Sequence, residues 1–435
     1  MNLHQAVSTR LPRERLARAR SLSIIDGCFA RAHTACTSGT VLTGFALWLG
    51  APPLVIGLLA SVPAFAGLAQ LAAPYFTDRQ GQRKRLVIAA VTAQRLLWLA
   101  VIALPFLGVS TGVAMILLVA LVSLSSMLGS FASVPWLSWM GDLVPREIRG
   151  RYFATRNLVL GAVALVLGPA LGQFLDLWKA QPAPANGYGF LVSFGFGTAC
   201  GLVSLAVLRR VVEPPMARSI TGSLLDQLRL PWQNRSFRRI IVFRGYYIFM
   251  VNLAGPFFVV FQLQELGLSF GVVYILSALG SLASLISLRW WGNLCDAWGT
   301  RRVMLVSTVG KGLFPLLYIG IGISAPGVPT ALAWILLIVV QLFNAAESGL
   351  ELASNNLPLN VAPRQHNTAY LATYAAVFSL CSAISPLIGG ALLSQPGLMQ
   401  VTAGPLSLSS YQTLFVISGL LRLSSLIFAR RVSEP

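Results

Sequence analysis

The chain has 435 residues, of which 56% are hydrophobic and only 10% charged, with a mean hydropathy of +0.73. A water-soluble domain of this length needs a more polar surface, so the composition excludes an ordinary soluble enzyme and makes the bilayer the solvent. A formal charge of +19 would suit nucleic-acid binding in a soluble protein, but here the placement of the basic residues decides its meaning.

Residues 1–20 form an Arg-rich tail suited to contact with anionic lipid. Twelve apolar segments follow, at 22–48, 52–76, 86–108, 112–138, 153–177, 187–208, 239–264, 269–294, 303–323, 330–355, 368–393 and 410–429. Each provides the roughly 20 residues that a helical crossing requires. The first is interrupted by Asp26 and Arg31 and has no small-residue cleavage site, so it reads as a span rather than a removable signal.

Between the spans, basic loops alternate with neutral ones. The tail, residues 79–85, 146–156, 209–239, 301–302, 364 and 430–431 together hold 25 of the 32 Lys and Arg, and the opposite loops hold only Lys179. Basic loops stay in the cytoplasm. The pattern predicts both termini there, in a bacterial cytoplasmic (inner) membrane, and rejects nucleic acid as a partner. The five cysteines lie within or at the ends of spans, with no C-x-x-C pair, and imply neither disulfides nor a metal site. Asn234-Arg235-Ser236 fits a glycosylation pattern but falls in a loop assigned to the cytoplasm, and reads as chance.

The chain repeats itself at an offset of 218 residues. Asp78 to Lys84 falls on Asp296 to Arg302, Pro145-Arg146 on Pro363-Arg364, and Tyr152 to Thr155 on Tyr370 to Thr373. One position of slip brings Gly168-Pro169-Ala170-Leu171-Gly172 over Ser385-Pro386-Leu387-Ile388-Gly389. The expected fold is all-α, with twelve transmembrane helices in two parallel six-helix repeats. The expected organisation is a cytoplasmic tail at 1–20, a bundle at 21–208, a cytoplasmic linker at 209–238 and a second bundle at 239–435.

The stretch Asp78-Arg79-Gln80-Gly81-Gln82-Arg83-Lys84-Arg85, between spans 2 and 3, resembles the D-R-x-G-R-[RK] signature of the major facilitator superfamily. The second copy, from Gly292 through Asp296 and Gly299 to Arg301-Arg302, retains the leading Gly that Pro74 replaces in the first. The resemblance implies secondary transport and a conformational-switch role for Asp78, Gly81, Arg83, Arg149, Asp296, Gly299 and Arg301. A carboxylate, a Gly turn and several cations at one helix end suit that role, since they can pair with neighbouring helix ends and release them. Arg149 and Arg151 are the expected partners of Asp78. Gly168-Pro169 to Gln173 in span 5 is similar to the Gly-Pro motif of proton-coupled antiporters, which favours export.

Charged and polar groups inside spans are the candidate site, because each charge near the bilayer centre costs about 2.5–3.5 kcal/mol on insertion scales. In span 10, Gln341, Asn344, Ser348, Glu351 and Asn355 form a stripe at steps of three and four, with Glu347 beside it. The repeat places Ser123, Ser126, Ser130 and Ser133 equivalently in span 4. Interhelical hydrogen bonding competes with cavity lining for the serines. The family resemblance implies that spans 1, 4, 7 and 10 line a central cavity.

Asp26 aligns with Arg244 across the repeat, which suggests an exchanging pair. Asp26 and His33 share a helix face, and Arg31 points roughly 140° away from Asp26. Glu347 and Glu351 are the candidates for proton coupling. Arg31, His33 and Arg95 offer an anion-binding alternative, with Lys311 as a further cavity group. Arg289 and Arg422 lie near helix ends and read as snorkelling to the interface.

No enzyme signature or nucleotide fingerprint is present. The sequence therefore predicts a monomeric alternating-access transporter of a small drug-like or metabolite solute, leaning towards efflux, with a proton as coupling ion, membrane lipid as surroundings and no cofactor. Lipid or lysolipid translocation and a non-transporting receptor on the same fold are the alternatives.

Overall fold

A computed structural model describes residues 13–71, 73, 76–77, 82–145, 148–214, 231–321, 331–361, 367–395, 397, 400–403 and 406–431. The chain divides into two compact units, one made of Met1–Ala51 with Val62–Ile220, the other of Pro52–Ser61 with Thr221–Pro435.

The first unit contains α1 (Arg13–Thr37), α2 (Gly39–Trp48), the later part of α3 (Pro53–Ala66), α4 (Arg83–Ala103), α5 (Thr111–Leu143), α6 (Arg149–Lys179) and α7 (Tyr188–Arg209). The second contains the start of α3, then α8 (Arg235–Ala254), α9 (Phe257–Gln264), α10 (Phe270–Trp298), α11 (Thr300–Leu313), the short α12 (Tyr318–Ile321), α13 (Ala331–Leu342), α14 (Asn344–Val361), α15 (Asn367–Leu393), α16 (Ser410–Ser424) and α17 (Leu426–Ala429). A three-residue antiparallel hairpin, β1 (Val401–Ala403) with β2 (Leu406–Leu408), precedes α16 and is an addition to the all-α expectation.

Among the described residues, eleven helical stretches are long and apolar enough to cross a membrane. The twelfth expected span is the α1–α2 pair, whose charges and whose break at Ser38 keep it out of that set. The tail expected to end at residue 20 is helical from Arg13 onward. Other spans expected to run straight are also broken. Pro256 has no backbone N–H to continue α8 into α9, and Phe343 sits in a turn between α13 and α14.

The breaks carry the repeat into the backbone, because Ser38 and Pro256 are separated by 218 residues. Gly50 and Gly267, 217 apart, both adopt positive φ in the turns that follow. Asn234, read from sequence as a chance glycosylation match, caps α8 by accepting hydrogen bonds from the backbone N–H groups of Ser236 and Phe237 at 3.1 Å each.

Packing in the first unit depends on small residues of α7 where it meets α1 and α4. A Cβ on Gly197 would lie 2.6 Å from Cys36 Cβ, and one on Gly201 would lie 2.5 Å from Arg95 Cδ. The missing side chains let backbones approach and bring polar groups of neighbouring helices into contact. At the loop end of the same unit, Trp139, Met140 and Leu143 of α5 pack with Val87, Leu208 and Val211 as a fully apolar core.

Gly299 joins α10 to α11 with φ +85° and ψ 149°, a region open essentially to glycine alone. This conformation explains the Gly in the second copy of the loop signature. Gly299→Ala is expected to lower stability by about 1–3 kcal/mol, whereas Gly292→Ala, with open space around its Cβ position, should be neutral or mildly stabilising. Thermal unfolding of the two purified variants in detergent checks this, and equal melting temperatures would contradict the backbone assignment.

Candidate functional site

Three polar clusters stand out from apolar surroundings, one at the loop end of the first unit and one buried within each unit. The loop-end cluster is built on Arg83, which is only 1% exposed. Its guanidinium donates to Asp142 Oδ2 at 2.6 Å, Ser138 Oγ at 3.1 Å and Pro214 O at 2.9 Å, and Glu213 Oε1 lies 3.6 Å from its Nε. Lys84 adds a backbone donation to Glu213 at 3.2 Å and an ammonium donation to Val211 O at 2.8 Å. Together these bonds tie the start of α4 to the end of α5 and to the segment after α7.

Asp142 and Glu213 carry this cluster and belong to no motif in the sequence. Asp78 and Gly81 lie outside the described residues. Arg149, expected beside Asp78, spends its guanidinium on the end of α5, donating to Gly141 O at 2.5 Å and Val144 O at 3.3 Å. In the second unit Asp296 is exposed, and Arg301 donates to Arg430 O at 2.5 Å.

Within the first unit, Asp26 is 5% exposed and accepts a hydrogen bond from Ser204 Oγ at 2.6 Å, with Arg95 and Arg156 as its charged neighbours. His33 Nδ1–H donates to Gly197 O at 2.9 Å, which places a proton on Nδ1, and its ring meets Trp98 edge-on at 6.2 Å. Arg156 lies over the Trp136 ring at 4.7 Å. Arg31 is exposed and takes no part. The serine stripe of α5 is half-buried at Ser126 and Ser130 and exposed at Ser133, while Ser125, off the stripe, is buried and accepts from Trp98 Nε1 at 3.1 Å.

The second unit holds the larger cluster, at the break between α13 and α14. Lys311, 4% exposed, forms an ion pair with Glu347 and donates to Asn344 Oδ1 at 3.3 Å. Asn344 in turn donates to Gln341 Oε1 at 3.3 Å. Arg244 donates to Ser354 Oγ at 3.2 Å and rests on the Phe378 ring at 5.0 Å. Ala345 O accepts Trp291 Nε1 at 2.6 Å, Ser348 Oγ at 2.8 Å and Ser287 Oγ at 3.3 Å, which anchors the break to α10.

Arg422 does not snorkel. It is 1% exposed and donates to Ser418 Oγ at 3.1 Å, Lys311 O at 3.3 Å and Val251 O at 3.1 Å. Tyr247 has a buried hydroxyl without a hydrogen-bond partner among the described residues, and Glu347, Arg422 and Arg244 are its charged neighbours. The two acids expected to act together differ in surroundings, because Glu347 is held by Lys311 while Glu351 is exposed. Asn355 lies in α14, with its side chain outside the described set.

Asp26 and Arg244 each find a hydrogen bond within their own unit. The repeat could have revealed some of the missed partners, since Ser204 aligns with Arg422 and Arg156 with Tyr374 at the same 218-residue offset.

The family model described as Major Facilitator Superfamily matches residues 28–284 and again 242–435. The chain belongs to the major facilitator superfamily. No curated protein matches it in sequence. Among solved structures, it is similar to a variant of the nucleoside transporter NupG (TM-score 0.71, 14% identity, 95% of this chain and 98% of that one). It is also similar to a D-xylose-proton symporter (0.70, 14%, 96% and 98%) and to an inward-facing bacterial homologue of the iron transporter ferroportin (0.70, 14%, 96% and 99%). At such identities the likeness establishes the fold. As a facilitator, the chain is an integral membrane transporter of a small molecule and not an enzyme.

The Arg83 cluster supplies a ranking of its two acids. Asp142→Asn weakens the 2.6 Å charge-assisted bond and should cost about 2 kcal/mol of stability. Glu213→Gln loses a longer contact and should cost about 1 kcal/mol. Melting temperatures of the two variants in the same detergent read the order, and a larger loss for Glu213→Gln would reverse the assignment of Asp142 as main counter-ion.

Proposed function

We propose that this facilitator carries a small anionic metabolite by alternating access, coupled to a proton, as a monomer in a bacterial cytoplasmic membrane with both termini in the cytoplasm. The observation that supports it is the charge balance at the α13–α14 break. Three buried cations, Arg244, Lys311 and Arg422, face one paired carboxylate, Glu347, with the exposed Glu351 one turn on, beside a Tyr247 hydroxyl that has no hydrogen-bond partner among the described residues. Buried cations in excess of their acids favour an anion that supplies the missing charge.

Glu347 is the proposed proton carrier. Protonating it frees Lys311 and leaves the exposed Glu351 as the acid that still acts on the cluster, which strengthens the attraction for an anionic solute. Proton and anion then favour the same state, and an inward proton gradient would drive uptake. Asp26, held by a neutral hydroxyl rather than a cation, is the proposed second protonation site. Export by exchange is the competing reading, supported by Gly168-Pro169 to Gly172 in α6, where Gly168, Leu171 and Gly172 are buried.

Flux in proteoliposomes tests both readings. With organic anions offered outside, an acidic exterior should accelerate uptake, and Glu347→Gln should reduce that acceleration by about tenfold or more, the effect of one pKa unit or more of differential binding, while leaving solute exchange in the absence of a gradient. Acceleration of export by an acidic exterior would select the exchange reading. Full gradient response in Glu347→Gln would move the coupling site elsewhere.

A further inference from the structure

Apart from these buried clusters, the first unit carries an open groove of about 660 Å³ beside the start of α4 and the end of α7. Its two walls differ in chemistry. Arg85, Ala89, Thr92 and Leu96 succeed one another at steps of four, three and four, so they form one stripe along α4 with the cation at the loop end and apolar groups towards the middle of the span. Arg209, from the last turn of α7, faces the same end.

Arg85 and Arg209 are both exposed, and among the described residues no carboxylate forms an ion pair with either. Glu213 also lines the groove, but its carboxylate is already used by Arg83 and by the backbone N–H of Lys84. Lys84 is likewise committed, to Val211 O. The available charge at this end of the groove is therefore that of two guanidiniums, the donors best shaped for phosphate.

We propose that this groove binds an anionic phospholipid, with its phosphate between Arg85 and Arg209 and an acyl chain against Ala89, Thr92 and Leu96. The order of the walls selects this occupant. A free phosphate or a soluble nucleotide would gain nothing from an apolar stripe descending into the span, and a zwitterionic lipid would bring its own cation to a site with cations to spare. Bound there, the headgroup sits beside Glu213, so lipid composition acts on the Arg83 cluster at close range.

Native mass spectrometry and thermal unfolding of the purified protein in detergent test the proposal, with phosphatidylglycerol, phosphatidylcholine and inorganic phosphate added separately. Phosphatidylglycerol should remain bound and raise the melting temperature, while the other two should not. In the Arg85→Gln/Arg209→Gln double variant its affinity should fall on the order of 30-fold, from about 1 kcal/mol for each surface cation. An Arg210→Gln/Arg238→Gln variant, with the same loss of charge outside the groove, should bind as the wild type does. Equal stabilisation by phosphatidylcholine, a shift reproduced by phosphate alone, or equal losses in the two double variants would each overturn the proposal. Both arginines of the groove are exposed, so an unfolded double variant is not expected, and its circular dichroism checks that.

Discussion

A charge carried into hydrocarbon must find its counter-charge or its acceptors inside the protein, and this requirement organises the whole molecule. Each of the three clusters satisfies it differently. Arg83 draws in two carboxylates and a carbonyl from separate segments. Asp26 is held by a hydroxyl, with guanidiniums as neighbours. Arg422 relies on two backbone carbonyls and a serine. The helices that supply these partners are thereby fixed in place, so polar chemistry adds position to a fold whose apolar surface would tolerate many arrangements.

The second unit departs from full compensation. Lys311 and Glu347 neutralise each other, yet Arg244 and Arg422 add charge that is met by hydroxyls and carbonyls rather than by acids. Neutral acceptors stabilise a guanidinium without cancelling its field. That remaining field lies at the point where α13 and α14 separate, and there the Tyr247 hydroxyl has no hydrogen-bond partner among the described residues. An interrupted helix at a polar site is a recurrent arrangement in membranes, where irregular backbone is tolerated only when it is covered by protein or lines a wet path.

Much of the architecture was legible in the sequence because composition and period act over whole spans, and the repeat doubled every signal. The breaks were less so. Pro256 announces its own, whereas Phe343 interrupts span 10 without any Gly or Pro, and the stripe from Gln341 to Asn355 assumed an unbroken helix. Among site residues, sequence reasoning sought an opposite charge for every charge. It passed over Ser204, a neutral donor, and over Asp142 and Glu213, acids outside any motif. Position near a helix end suggested that Arg422 would reach the interface, but Ser418 one turn earlier and the carbonyls of two other helices hold it inside.

The three acceptors of Arg422 also bear on biogenesis. The residue lies on α16, while two of its partners, Val251 and Lys311, belong to helices synthesised much earlier. Until α16 leaves the ribosome, those earlier helices lack the guanidinium that later joins them, and when it arrives the cation must enter beside them rather than alone. The second unit can therefore complete its assembly only after α16 has been translated, with α8 and α11 held ready for a charge that reaches the membrane after them.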